Sequence, residues 1–484
     1  MGKLRVTDFI TYRWRYYIGY GLVGLALIVL LVIAGLYIPG GLSSNEINST
    51  VKSSSLAFNE LDSFAITNLP YHLLQEASLS LFGVSLFTIK LPSLILGFLS
   101  AIGMFFLLRR WFRQNIAVIA SVLTIATGQF LFVAQDGSPG VLYIFWSVYL
   151  LLAAIMIARK MRFHTFWTYS FFIIAALSLY TPLSIYVLFA IISAALLHPH
   201  LRYIVKRTSK QNMVIAGAIS LLLLVPLVYG IIKNPQTGLA LLGIPPTWPD
   251  IGENIMRLIG QYIDVISPTS GSIMTPIFSF GSLALIALGV FHIIRSRHTA
   301  RSYIVGVWAL LLIPVLVINP DFISITFVPL LLLLATGVHT LLYEWYRLFP
   351  RNPYARVAGL IPLVILVAGL LLSGIERYAY GYHYDPLTAS HFSLDLELLN
   401  KELSSSESPV ILVTSQDEQA FYEVVATHNQ NLTVVTSTPE NNDTFIVTHA
   451  VHETSNITKE ASKIVVSPRT EEADRFYLYK NTSN

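Results

Sequence analysis

The sequence predicts an all-α polytopic membrane protein of about eleven transmembrane helices with a small C-terminal extracytoplasmic α/β domain. Three observations carry this. Of 484 residues, 54% are hydrophobic and only 12% are charged, half the charge of an ordinary soluble domain, which holds about 25%. Eleven runs approach the ~20 apolar residues needed to cross a ~30 Å hydrocarbon core. Basic and acidic residues also separate onto opposite sides of these runs. Such a chain is not a soluble enzyme, a disordered protein or a nucleic-acid-binding module. The lack of cysteine excludes a disulfide scaffold, a zinc-thiolate site and a thiol nucleophile.

The runs cover residues 17–38, 89–108, 115–134, 140–158, 165–180, 182–197, 213–232, 274–294, 303–319, 322–343 and 356–375. The fifth and sixth are short and separated by Thr181-Pro182, which reads as a tight hairpin. The first follows Lys3, Arg5, Arg13 and Arg15 without a small-residue cleavage site, as expected of a retained anchor. With the N-terminus inside, the cytoplasmic segments collect 20 of the 31 basic residues, whereas only Asp8 and Glu344 of the 27 acids fall there. Basic loops stay cytoplasmic, and a one-helix error would reverse every later loop. The expected topology is therefore N-terminus in, C-terminus out, in the plasma membrane.

Three regions outside the spans are long: a first outer loop at 39–88, a second at 233–273 and the tail at 376–484. The first loop is polar to residue 63 and then semi-apolar, which suits short interfacial helices. In the second, Pro245-Pro246-Thr247-Trp248-Pro249 precedes a helix-like stretch from Ile251 to Ile266. In the tail, Leu394–Leu403 and Gln416–Thr427 read as helices. Strand candidates are Val410–Thr414, Leu432–Thr436, Thr444–Thr448, Lys463–Val466 and Phe476–Tyr479. Strands and helices in alternation predict an α/β domain. The domains are thus 1–375 and 376–484.

Acids at the membrane surface are the natural catalytic candidates. Glu46 stands shortly beyond the first span, where a carboxylate can take a proton from an acceptor arriving from outside; a solvated loop acid is the blander reading. Glu60, Asp62 and Glu76 share its loop and compete for that role. Asp136 lies between the third and fourth spans in Gln135-Asp-Gly-Ser-Pro139, which is also a plain turn sequence. His72 and Lys90 are candidates to meet an anionic headgroup, although a lysine at a helix end also snorkels. Tyr180 and Asp321 end spans on the outer side. No His, Asp and Glu cluster has metal-ligand spacing.

The stretch from Leu81-Phe-Gly83 through Lys90-Leu-Pro-Ser93 to Leu107-Leu-Arg-Arg-Trp-Phe112 resembles the start of the second helix in bacterial GT-C glycosyltransferases. These include protein O-mannosyltransferase-like and aminoarabinose-transferase-like enzymes. Further segments match in order: Ser44-Asn45-Glu46, Asn68-Leu-Pro-Tyr-His72, Phe132-Val-Ala-Gln-Asp136, Leu179-Tyr-Thr-Pro182 and Ile325-Thr-Phe-Val-Pro-Leu330. The resemblance covers residues 1–375 and implies a GT-C-like transmembrane domain. It also implies an inverting transfer, in which a polyprenyl-phosphate-linked sugar at the outer leaflet passes to an envelope glycan, lipid or protein. Glu46 would be the general base and Asp136 a second catalytic group. Asn45, His72, Lys90 and Tyr180 would bind substrate. The bilayer and the lipid-linked sugar are the implied partners, and nucleic acid is not one. No cofactor is firmly implied, and the need for a divalent metal stays open.

The sequence departs from that pattern. Asn45 stands where the family has Asp, Leu69 where many members have Lys or His, and Lys90 where Arg is usual; residues 319–326 hold no arginine. A non-catalytic scaffold that binds lipid-linked glycan is therefore the alternative. A lipid-linked-sugar transporter ranks third, since it should carry charges or broken helices at mid-membrane.

Overall fold

The computed structural model describes residues 10–57, 59–159, 163–263, 269–270, 273–274, 276–349, 352–405, 409–439, 444–455, 460–467 and 473–479. Lys3, Arg5, Asp8, Lys160, Arg162 and Arg351 lie outside these. Helix occupies most of each of the eleven expected runs, but the eighth becomes helical only from Phe280, its first residue lying in a strand.

The first run is α1 (Ile10–Tyr37). Two short helices follow, α2 (Ser44–Ser54) and α3 (Leu69–Phe82), and then α4 (Leu86–Trp111). The third run is divided into α5 (Gln114–Ile125) and α6 (Gly128–Gln135), bent by 64°. The break falls at Ala126-Thr127, where Thr127 Oγ1 accepts the Phe130 N–H at 3.3 Å and restarts the helix as an N-cap. Next come α7 (Val141–Ala158), α8 (His164–Ser178), α9 (Ser184–Leu197), α10 (Pro199–Arg207) and α11 (Lys210–Lys233). The second long loop holds α12 (Pro235–Leu241), α13 (Ile251–Ile263) and the hairpin of β1 (Thr269–Ser270) and β2 (Ile273–Met274). The last membrane helices are α14 (Phe280–Arg295), α15 (Ala300–Ile318), α16 (Phe327–Leu348) and α17 (Pro353–Tyr384).

Among the described residues seven of these helices are long and apolar enough to cross a membrane, or nine if each bent pair is one span. The bent pairs are α5 with α6 and α9 with α10. α8 and α14, at 15 and 16 residues, fall short of the ~20 that a straight span requires. α14 and α16 pack backbone to backbone through glycine, since a Cβ on Gly289 would collide with the Leu333 carbonyl and one on Gly337 with that of Leu285. The last run continues to Tyr384, past the expected boundary at 375.

The tail comprises α18 (Pro386–Ala389), α19 (Asp395–Ser405), β3 (Val410–Val413), α20 (Gln416–Thr427), β4 (Leu432–Val435), β5 (Phe445–Thr448), α21 (His449–Thr454), β6 (Lys463–Val466) and β7 (Asp474–Tyr479). Its sheet order is β4-β3-β5-β7-β6. β3 runs parallel to β4 and β5, whereas β7 is antiparallel to β5 and β6. The sequence signals reveal every element here except the short α18 and α21.

The tail does not hang free. Leu42 and Ser393 exchange backbone hydrogen bonds at 2.8 and 2.9 Å. Leu42, Leu79 and Ile89 share one buried cluster with Leu396, Leu412, Phe421 and Tyr422, so the tail's core continues into the loop that bears α2 and α3. Gly41 permits this seam, because a Cβ there would lie 2.8 Å from the Ser393 oxygen and 2.9 Å from the Phe392 carbonyl. Overpacking costs about 1–3 kcal/mol, and here the obstacle is backbone. Gly41→Ala should therefore lower the melting temperature of the purified full chain and raise proteolysis between the tail and α17; unchanged melting and cleavage would refute the docking.

Candidate active site

α2 opens with a capping box. Ser43 Oγ accepts the Glu46 N–H at 3.3 Å, and Glu46 Oε2 accepts the Ser43 N–H at 2.7 Å. This reciprocal pair turns the Glu46 side chain back towards the start of its own helix and into the protein. Its other oxygen, Oε1, accepts the Gly137 N–H at 2.6 Å and lies 3.4 Å from Lys90 Nζ. Glu46 and Lys90 are both 0% exposed. Lys90 sits in the second turn of α4 and donates to Gln135 Oε1 at 2.8 Å. The blander alternatives, a solvated loop acid and a snorkelling lysine, do not hold: the two form a buried ion pair between the first loop, α4 and the turn after α6. Gly137 must be glycine-sized, since a Cβ would meet Ile89 Cγ2 at 2.9 Å and Glu46 Oε1 at 3.1 Å.

Asp136 completes the centre as the C-cap residue of α6. Its Oδ2 accepts the Ser138 hydroxyl, and its Oδ1 has no hydrogen-bond partner among the described residues. Burial first, and the Glu46 charge second, push its carboxyl up to about 7. Two carboxylates and one ammonium leave the centre one negative charge in excess when both acids are ionised, and Asp136 is the group that gives way.

A second polar layer holds the frame. Gln75 Nε2 donates to the carbonyls of Ile89 at 3.1 Å and Gly137 at 3.0 Å, while its Oε1 accepts from Ser49 at 2.8 Å. Ser53 Oγ lies 2.7 Å from Gln75 Oε1 and 2.8 Å from His72 Nδ1. Burial, then the Lys52 charge, push His72 down to about 4. His72 is therefore uncharged at neutral pH and is not a cation for a headgroup; it props Ser53. Tyr71 joins α3 to α4 through its hydroxyl, 2.8 Å from Ser93 Oγ.

The structure does not bring the other candidates here. Asn45 is exposed on α2. Tyr180 is buried in a separate cluster with Leu56, Leu69, Leu227 and Leu241, where its hydroxyl donates to the Leu223 carbonyl at 2.8 Å. Glu60 is exposed. Asp62 pairs with Lys233 and Asp321 with Arg257, both on the surface. Glu76 is partly buried on α3, where burial raises its carboxyl and the His428 charge opposes that rise. Sequence reading missed Gln75, Gln135 and the Gly137 N–H. Ser43-x-x-Glu46 was legible as a capping box; Gln75, a lone amide in a semi-apolar stretch, gave no signal of its partners.

Residues 70–229 match the family described as dolichyl-phosphate-mannose-protein mannosyltransferase. In fold, the chain is similar to ArnT from Cupriavidus metallidurans bound to undecaprenyl phosphate, with TM-score 0.56, 11% identity and coverage of 96% of this chain and 98% of that one. It is also similar to the apo oligosaccharyltransferase of Archaeoglobus fulgidus, with TM-score 0.50, 13% identity and coverage of 87% and 65%. At such identities the likeness is one of fold. No curated protein matches the chain in sequence.

Proposed function

We propose that the chain, which resembles GT-C glycosyltransferases over residues 70–229 and in fold, moves a glycosyl group from a polyprenyl-phosphate-linked donor to an envelope lipid, glycan or protein on the outer face of the membrane. The observation that carries this reading is the buried Glu46–Lys90 pair beside a carboxylate with one unpartnered oxygen, Asp136 Oδ1. Glu46 has both oxygens taken by N–H donors and Lys90 and is poorly placed to accept a proton. Asp136 Oδ1 has no hydrogen-bond partner among the described residues, and burial and the Glu46 charge raise its carboxyl to about 7, the range in which a general base works best. The base role expected of Glu46 therefore passes to Asp136, and Glu46 becomes the group that fixes Lys90 and the turn at Gly137.

In the proposed step an acceptor O–H or N–H gives its proton to Asp136 Oδ1. The acceptor atom bonds to the anomeric carbon from the side opposite the phosphate. The bond from that carbon to the phosphate oxygen breaks, its electron pair leaving with polyprenyl phosphate, so the configuration inverts. Lys90 supplies positive charge near the phosphate as this bond breaks. The similarity in fold to ArnT bound to undecaprenyl phosphate supports a substrate of this kind.

Incubation of the purified chain with polyprenyl-phosphate sugars and mixed envelope acceptors should release polyprenyl phosphate. If none is released across pH 6 to 9 while the labelled donor still binds, the scaffold reading replaces the enzyme.

A further inference from the structure

A groove of about 440 Å³ lies between the ends of α1 and α17, and Tyr37, Glu376, Tyr380, His383 and Tyr384 line it. Glu46, Lys90 and Asp136 are not part of its lining. We propose that it holds the primary ammonium headgroup of a zwitterionic membrane phospholipid. With the N-terminus inside, both helix ends lie on the outer side. The sequence builds the groove from two exposed stripes, since residues four apart on a helix share a face. On α1 the stripe is Val29, Ile33 and Tyr37; on α17 it is Leu372, Glu376, Tyr380 and Tyr384. Each is apolar deeper in the membrane and becomes aromatic at the groove. The acyl chains of a lipid therefore find a surface below, and its headgroup arrives where the rings begin. The Tyr378 hydroxyl donates to the Ile38 carbonyl at 2.7 Å and ties the two helices together beside the groove.

The rings select a cation. Tyr37, Tyr380 and Tyr384 are each 65–66% exposed. The Tyr380 and Tyr384 rings stand 5.1 Å apart, and the His383 ring lies at 86° to that of Tyr384, 4.6 Å away. The faces of such rings are electron-rich and attract ammonium groups. A single tyrosine is ordinary at a membrane interface, but here three converge on one concavity beside a carboxylate.

That carboxylate is Glu376, which makes no ion pair or hydrogen bond among the described residues. An acid on a membrane helix is costly and is expected to have a partner. The lining holds no lysine or arginine, and the adjacent Arg377 lines a different cavity, where it donates to the Pro276 carbonyl. An anionic headgroup therefore meets no lysine or arginine here, whereas a primary ammonium meets an acceptor for its N–H donors in a charge-assisted bond. The size agrees as well. Small-molecule sites occupy about 300–1,000 Å³, so this groove has room for a whole headgroup rather than for one ion.

The test uses the full chain in detergent, with binding followed by native mass spectrometry and by melting temperature. The probes are phosphatidylethanolamine, phosphatidylglycerol and glycerophosphoethanolamine, which carries the first lipid's headgroup without acyl chains. Phosphatidylethanolamine should bind about tenfold or more tightly than either of the others. Glu376→Gln keeps the size and removes the charge, and should weaken that binding about tenfold. Tyr380→Leu combined with Tyr384→Leu should weaken it severalfold, whereas Tyr380→Phe keeps the ring face and the affinity. These side chains are exposed, so the melting temperature of the lipid-free protein should hold in every variant. Wild-type affinity in Glu376→Gln or in the double leucine variant overturns the site. Equal binding of phosphatidylglycerol overturns the ammonium assignment, and equal binding of glycerophosphoethanolamine overturns the lipid. Binding is read without turnover, so a chain that transfers no sugar still tests it.

Discussion

Asp136→Asn is expected to reduce turnover by about 10²–10⁴-fold, the usual contribution of a positioned general base, with donor affinity nearly unchanged. The replacement keeps the shape and lets Ser138 retain a partner, so the loss reports the missing proton acceptor. The pH profile supplies the second signature. Asp136 is held up to about 7 by burial and by Glu46, so in the native chain kcat/KM should fall as pH drops through about 7, where the carboxyl becomes protonated and useless as a base. A base with an ordinary carboxyl, near 4, would show no such limb above pH 5. Stability should move the other way. A carboxyl whose folded value is raised contributes stability at low pH and loses it as pH rises from the unfolded value towards the folded one. At pH 8 the ionised Asp136 is therefore a burden, and Asp136→Asn should melt at the same temperature as the native chain or higher. A variant that keeps turnover, or an activity profile flat from pH 5 to 8, would remove Asp136 from the role.

Most of the architecture was legible because a membrane imposes a strong rule on the sequence. Nearly every apolar run became helix over most of its length, and the tail's Gln416–Thr427 and Lys463–Val466 were bounded by turn residues. The break at Ala126-Thr127 was not legible, since the run is apolar through it and only the Thr127 cap decides where the helix restarts. Docking of the tail on Leu42 and Leu79 was hidden for a related reason: apolar residues in a loop next to a membrane read as interfacial until their true partner is seen. At the site, Glu46, Lys90 and Asp136 were all found, from three segments far apart in sequence. Their relation was not. Whether a loop carboxylate is solvated or sealed depends on which backbone N–H groups fold over it, and here those come from Ser43 and Gly137.

That enclosure sets the outcome for Glu46→Gln, which should be severely destabilising as well as inactivating. The native carboxylate accepts from Ser43 and Gly137 and faces Lys90 at 3.4 Å with no exposure. A Gln side chain offers one acceptor oxygen and one amide NH2 donor, so at least one of the two N–H groups would point at another donor. Lys90 would keep Gln135 but lose its counter-charge in a fully buried site. Breaking a buried pair from one side costs about 3–5 kcal/mol, far beyond the ±0.5 kcal/mol usual for a surface acid. The double change Glu46→Gln with Lys90→Met removes the stranded charge and should recover a large part of the lost stability, giving a coupling energy well above the additivity limit of about 0.5 kcal/mol. It should recover no turnover, because the positive charge proposed to meet the departing phosphate is gone. Thermal unfolding of the native chain, both single variants and the double variant closes this cycle. If Glu46→Gln melts like the native protein and loses only turnover, Glu46 is a solvated acid after all and takes back the role of base from Asp136.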